Sequence, residues 1–205
     1  MISRQSSVVR QKNFVERKFS ALVTSNNLVG NRIAVVGASG SGKTTFARQL
    51  AQRLGYPHTE IDSLHWQPHW TEAPPDIFRA RVDQATAGEC WVIDGNYSKV
   101  RDIYWRRADT IVWLDYSLPI IFWRLCWRSL KRIITREKLW NNNHETWRAI
   151  FGKESLFLWV LASRPRHQRD YPRLFQQPEY AHLRVVRLHS PRETERWLER
   201  INVNT

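Results

Sequence analysis

An α/β architecture, a parallel sheet between layers of helices, is what this sequence predicts, and three observations predict it. Short apolar runs rich in β-branched residues recur at 32–36, 90–94, 110–114 and 183–188, and each reads as a buried strand. Helical periodicity fills most of the intervals between them. The first run passes through a glycine-rich turn straight into a helical pattern, which is how a βα unit is written in sequence.

That turn is Gly37-Ala38-Ser39-Gly40-Ser41-Gly42-Lys43-Thr44, a glycine, four residues, then Gly-Lys-Thr. It fits the P-loop pattern. Thr45 opens the helix that follows, with apolar residues at 46, 47, 50, 51 and 54. Polyphosphate oxygens need several donors converging at short range. Glycines let backbone N–H groups face inward, and the helix start adds free N–H groups and the positive end of its dipole. Residues 37–45 are therefore the expected nucleotide site. Lys43 supplies a mobile charge for the β- and γ-phosphates, and the Thr44 hydroxyl is a ligand for Mg²⁺.

At 205 residues and 42% hydrophobic content, one domain with a core is expected. The net charge of +13 calls for anionic partners without choosing among nucleotides, phosphorylated metabolites and nucleic acid. The eleven tryptophans are expected mostly in the core or in groove walls. Cys90 and Cys126 lie in apolar stretches and form neither a disulfide framework nor a zinc site, which suggests a reducing, cytoplasmic setting. No stretch reaches the ~20 apolar residues of a membrane span. Residues 1–31 are basic with Glu16 as the one acid, and read as a poorly ordered extension, with an organelle presequence as the lesser alternative. Residues 32–202 are the expected folded domain.

Residues 58–62 predict a short second strand ending on Asp62. Ligands bind beyond the carboxyl ends of strands in open α/β sheets, so Asp62 is a substrate-site candidate; a helix N-cap is the equal alternative. Residues 67–76, with three prolines, predict a loop, and 76–87 a helix turning Ile77, Phe78, Val82 and Ala85 inward. The strand 90–94 ends on Asp94, where a P-loop protein holds Mg²⁺; the alternative is an Asx turn. After the strand 110–114 and Asp115, a helix over 119–138 is predicted, with Ile120, Trp123, Trp127, Leu130 and Ile134 as its apolar face. Arg124, Arg128, Arg132 and Arg136 recur every fourth residue, so the row is either solvated or faces an anion. Residues 140–145 predict a loop and 146–163 another helix, ahead of Arg164 and Arg166. Residues 116–176 hold twelve Lys or Arg against four Asp or Glu, the composition of a cationic lid over a transferring phosphoryl group. Ser190 and Pro191, after the last strand, read as an N-cap and first helical turn that could also border the nucleotide base.

These pieces together resemble the adenylate-kinase-like P-loop kinases, and in particular the small proteins labelled adenylate kinase and related kinases, or DNA topology modulation proteins. The resemblance covers about residues 32–200 and rests on the glycine loop, Asp62-Ser63-Leu64-His65-Trp66, Trp91-Val92-Ile93-Asp94-Gly95-Asn96-Tyr97-Ser98, Arg107-Ala108-Asp109-Thr110 and Ser190-Pro191-Arg192-Glu193. It implies a three-layer fold with a five-stranded parallel sheet, helices on both faces and a helical lid. It also implies ATP and Mg²⁺. Adenylate kinases carry Asp-Gly-Phe-Pro-Arg where this chain has Asp-Gly-Asn-Tyr-Ser-Lys, so the arginine that grips their acceptor is displaced, with Lys99 or Arg101 as its stand-in. The cysteines of zinc-bearing lids are missing.

The expected chemistry is phosphoryl transfer from ATP to a small-molecule acceptor. Lys43, Thr44 and Asp94 hold the phosphates and metal, Asp62 orients or deprotonates the acceptor hydroxyl, and Arg124, Arg128, Arg164 and Arg166 cover the transferring group. The alternative is a nucleotide-gated nucleic-acid-binding protein, supported by the charge but by no recognised DNA- or RNA-binding motif. A guanine-reading Asn/Thr-Lys-x-Asp run is absent, which disfavours a GTPase switch.

Overall fold

The protein is described by a computed structural model covering residues 29–135, 139–143 and 156–201. The basic extension expected over 1–31 lies outside the described residues except at its last three positions. Five strands, β1 (Arg32–Gly37), β2 (His58–Glu60), β5 (Trp91–Asp94), β6 (Thr110–Leu114) and β7 (Arg184–Leu188), pair in parallel in the order β2-β5-β1-β6-β7. The chain leaves the central β1 toward one edge and later returns to its other side, so the crevice at the carboxyl end of β1 is the topological switch point of the sheet.

The three layers follow from the composition of β1. Successive strand side chains point to opposite faces, and a sheet covered on both faces needs apolar residues at every position. Ala34 and Val36 join Trp91, Ile93, Ile111 and Trp113 in one buried cluster, while Ile33 and Val35 join Val92, Val112 and Leu114 in the other. The first cluster is closed by Phe78 and Val82 of α3 (Pro75–Ala85), Tyr104 and Trp105 of α4 (Arg101–Arg107), and Tyr171 of α6 (Leu156–Leu174). The second is closed by Phe46 and Leu50 of α1 (Lys43–Leu54), Ile121 and Leu125 of α5 (Leu118–Thr135), and Leu198 of α7 (Pro191–Glu199). Trp91, Trp105 and Trp113 are core residues, whereas Trp70, Trp123, Trp127 and Trp159 are exposed. Cys90 and Cys126 are free thiols. Among the described residues no helix is long and apolar enough to cross a membrane.

Several local expectations are corrected. The second strand stops at Glu60, and Asp62 lies in the first turn of a short helix, α2 (Ile61–His65). The expected loop at 67–76 contains a small hairpin, β3 (Trp66–Gln67) against β4 (Thr71–Glu72). Asn143 holds its tip, donating to the Gln67 carbonyl at 2.9 Å and accepting from the Trp70 N–H at 2.9 Å. In α3, Phe78 and Val82 are buried but Ile77 is exposed. Helix α4, with the turn Ser98–Val100 before it, had no counterpart in the sequence reading.

Helices α5 and α6 differ most. The face of α5 turned inward carries Ile121, Leu125 and Ser129. Of the face expected to be buried, Ile120 packs half-buried against the core, but Trp123, Trp127 and Ile134 are 73%, 65% and 70% exposed and Leu130 is exposed too. Helix α6 runs through Pro165 and Pro172, where the sequence suggested a stop at 163. Tertiary contacts anchor the helix on either side of Pro165: Arg164 Nε donates to the Tyr116 carbonyl at 2.8 Å, and Gln168 Nε2 donates to Asp115 Oδ1 at 3.0 Å. Residues 136–138 and 144–155, with the first part of the helix expected over 146–163, are outside the described residues.

Candidate functional site

The glycine loop leaves β1 at the switch point and turns directly into α1. Gly40 and Gly42 adopt φ of 81° and 90°, a left-handed conformation that side-chain-bearing residues rarely take. Close approach adds a second requirement at both. A Cβ on Gly40 would lie 3.0 Å from the Ile121 carbonyl oxygen, and one on Gly42 would lie 3.0 Å from the Arg124 guanidinium. Helix α5 therefore lies directly over the loop. The first N–H groups of α1, those of Lys43, Thr44 and Thr45, precede the bond from Phe46 N–H to the Gly42 carbonyl and have no partner within the helix.

Lys43 folds back over the loop, and its Nζ donates to the Ala38 carbonyl at 3.2 Å. Burial pushes its pKa down, Arg128 pushes the same way, and the carboxylates of Asp94 and Asp62 pull it back up. Both aspartates therefore lie within electrostatic reach of the loop lysine. Asp94, only 3% exposed at the end of β5, accepts a hydrogen bond from Thr44 Oγ1 at 2.8 Å through Oδ2. Its Oδ1 lies 2.8 Å from His58 Nε2. Asn96 clasps the start of the loop, accepting from the Gly37 N–H at 3.1 Å and donating to the Gly37 carbonyl. Tyr97, next in the chain, donates its hydroxyl to Asp62 Oδ1 at 2.5 Å. Burial, then Asp62, raises that phenol well above its ordinary pKa, so it stays a donor.

The residues named from sequence sort into two groups. Lys43, Thr44, Asp94 and Asp62 converge at the loop, and Arg124 and Arg128 reach it from α5. Arg164 is directed elsewhere, to the Tyr116 carbonyl and to within 3.8 Å of Asp115. Arg166 faces a cavity between α6 and the segment after β5. Ser190 Oγ accepts from the Glu193 N–H at 3.2 Å while Glu193 Oε2 accepts from the His189 N–H at 2.7 Å, a reciprocal cap that starts α7 with Pro191 in its first turn. His58 and Asn96 were not singled out by sequence. The Asp-Gly-Asn-Tyr run was the available signal for Asn96, and His58 carries no local signal.

Residues 33–114 match the family model described as "ATPase family associated with various cellular activities (AAA)". The chain has the P-loop NTPase fold. Its glycine loop follows the central strand, and the carboxylate at the end of the neighbouring strand bonds the loop threonine. Solved structures similar to this chain include a sugar kinase from Janibacter sp. HTCC2649, at 20% identity over 83% of this chain and 91% of that one, with a TM-score of 0.47. A shikimate kinase from Bacteroides thetaiotaomicron aligns at 15% identity over 83% and 96% of the two chains, with a TM-score of 0.49. A gluconokinase from Sinorhizobium meliloti 1021 aligns at 19% identity over 87% and 97%, with a TM-score of 0.48. No curated protein sequence matches the chain.

The donor set at the P-loop fits a magnesium ion. Thr44 Oγ1 and Asp94 Oδ2 offer two hard oxygens side by side. Among the described residues no three His, Cys, Asp or Glu side chains form a metal cluster, so the protein offers a pair rather than a cage. Mg²⁺ is held in this manner, by one or two protein oxygens with phosphates and water completing its shell.

Proposed function

We propose that this protein is a magnesium-dependent phosphotransferase that moves the γ-phosphoryl group of ATP to a hydroxyl of a small acceptor. The bond between Thr44 and Asp94 at the foot of the loop, beside a half-buried Lys43, carries this reading. The loop amides and Lys43 hold the β- and γ-phosphates, and Thr44 and Asp94 hold the metal, which when bound neutralises charge on the phosphate oxygens. Arg124 and Arg128, on α5, add positive charge over the loop. Asp62, with Oδ1 fixed by Tyr97, orients the acceptor. The acceptor oxygen forms its bond to the γ-phosphorus as the bond to the β–γ bridging oxygen breaks, ADP departs, and the hydroxyl proton passes to Asp62. Positioning and charge stabilisation are most of what such a transfer requires.

The test is ATP binding and ATP-to-ADP conversion across nucleosides, nucleotides and hydroxy-metabolites, for the wild type, Lys43→Ala and Thr44→Ala. One or more acceptors stimulate turnover in the wild type, and both variants lose at least 100-fold in rate. Wild-type turnover by Lys43→Ala overturns the assignment, and so does ATP binding with no acceptor turned over.

A further inference from the structure

A cavity of about 440 Å³ lies between the segment that follows β5 and the inner face of α6. Asn96 and Arg101 line one side, and Ser163, Arg166, His167 and Arg173 the other. Its size is that of a metabolite site. It adjoins the nucleotide site, because Asn96 belongs to its wall and also clasps Gly37 of the loop. His167, in turn, feels the charge of Lys43.

Two features show which ligand suits it. The first is charge. Three guanidinium groups line the cavity against one carboxylate, Asp170, and Arg169 donates to that carboxylate at 2.8 Å. Arg101 lies over the rings of Trp105 and Tyr171, at 4.9 and 6.0 Å, which holds it in place. The second is unmet hydrogen bonding. Ser163 Oγ and His167 Nδ1 are buried without a partner, which costs stability unless a ligand supplies one. His167 also stacks on Tyr171 at 4.9 Å, which fixes the direction of its free nitrogen. Burial, then Lys43, Arg101 and Arg166, push its pKa down to about 4, so near neutral pH it meets a ligand as a neutral imidazole.

We infer that this cavity seats the phosphoryl acceptor, and that the acceptor is a small hydroxyl compound bearing an oxyanion, with the arginines taking the anion and Ser163 and His167 taking hydroxyls. This rests on the phosphotransferase reading above and names its acceptor class. Carboxylate and phosphate share the chemistry that guanidinium groups recognise, and the test separates them.

The full chain is first saturated with ADP and Mg²⁺, which fills the P-loop. It is then titrated with tartrate, with inorganic phosphate and with threitol, the neutral analogue of tartrate, while thermal unfolding is followed. Tartrate or phosphate raises Tm saturably, threitol binds at least tenfold more weakly, and whichever anion binds better names the group. Arg166→Gln and Arg101→Gln each weaken the anion at least tenfold. The exposed Arg166 keeps the test readable if removing the stacked Arg101 disturbs folding. Threitol binding as well as tartrate overturns the inference. So does an anion affinity unchanged in both variants, or no anion response in a protein that still responds to ADP. No ADP response, with the arginine-dependent anion response kept, removes the nucleotide reading instead and leaves the cavity an anion site.

Discussion

The Tyr97 hydroxyl and Asp62 Oδ1 are 2.5 Å apart, and the bond joins two segments that the sequence keeps separate. Asp62 lies in the first turn of a short helix after the edge strand β2, whereas Tyr97 follows the inner strand β5. A hydrogen bond to a charged acceptor is worth about 1.5–3 kcal/mol, enough to hold one carboxylate rotamer. Tyr97→Phe keeps the ring among His65 and Phe78 and removes only the donor. If Asp62 orients the acceptor, kcat falls roughly tenfold or more and KM for ATP stays constant. Steady-state kinetics with ATP varied at saturating acceptor reads the two separately.

His58 plays the same part for Asp94, through a contact of 2.8 Å to the oxygen that Thr44 does not use. Partners one step behind a metal ligand set its orientation, and removing them costs about 10–100-fold in metal affinity. His58→Leu raises the Mg²⁺ concentration for half-maximal activity about tenfold or more, while the rate at saturating Mg²⁺ recovers most of the wild-type value. A magnesium titration checks this. A His58 that only fills space would leave that curve unmoved.

Local pattern was enough for the sheet and the loop, because their causes are local. β1, β5 and β6 are covered on both faces, so Ile33, Val35, Val92 and Val112 had to be apolar wherever they pointed. The loop needed Gly40 and Gly42 for their positive φ, a requirement of the local backbone. Helix α5 was misread because counting apolar residues picks the face with the tryptophans. The contact that sets its rotation is with the loop, where Gly40 lets Ile121 and Leu125 come close. Helix α6 was cut short because prolines oppose a helix interior, while Asp115 and the Tyr116 carbonyl, far away in sequence, hold it together. His58 reaches Asp94 only because β2 pairs with β5, and no short window of sequence contains that pairing.

Asp115 closes the end of β6 and anchors α6. Arg187 of β7 donates to its Oδ2 from Nε at 3.0 Å and from Nη2 at 2.6 Å, and Gln168 donates to Oδ1. The Arg187 guanidinium also lies 4.3 Å from the centroid of the Trp113 ring. Taking one partner from a buried ion pair leaves the other desolvated, a loss of about 3 kcal/mol, less where water reaches the arginine. Asp115→Ala lowers the urea midpoint by an amount equivalent to about 2–3 kcal/mol at unchanged m-value. The double variant Asp115→Leu, Arg187→Met recovers part of that loss, since a stranded cation rather than a lost attraction causes most of it.

His167 makes stability depend on acidity. In the unfolded chain an imidazole titrates near 6.5, whereas in the native protein burial and the charges of Lys43, Arg101 and Arg166, opposed by Asp170, hold it down to about 4. Between those values the unfolded state binds a proton that the native state refuses. Stability is therefore complete above about pH 6.5 and declines as pH falls toward 4. Allowing for solvent screening, the loss at pH 5 is about 1–2 kcal/mol. His167→Gln removes the titrating group and keeps a hydrogen-bonding side chain, so its urea midpoint changes less than the wild type's between pH 7 and pH 5. An anion in the cavity offsets the arginines, raises the pKa of His167 and draws a proton in as it binds. In calorimetry below pH 6 with tartrate, the heat of binding then varies with the ionisation enthalpy of the buffer, and in His167→Gln that dependence is lost.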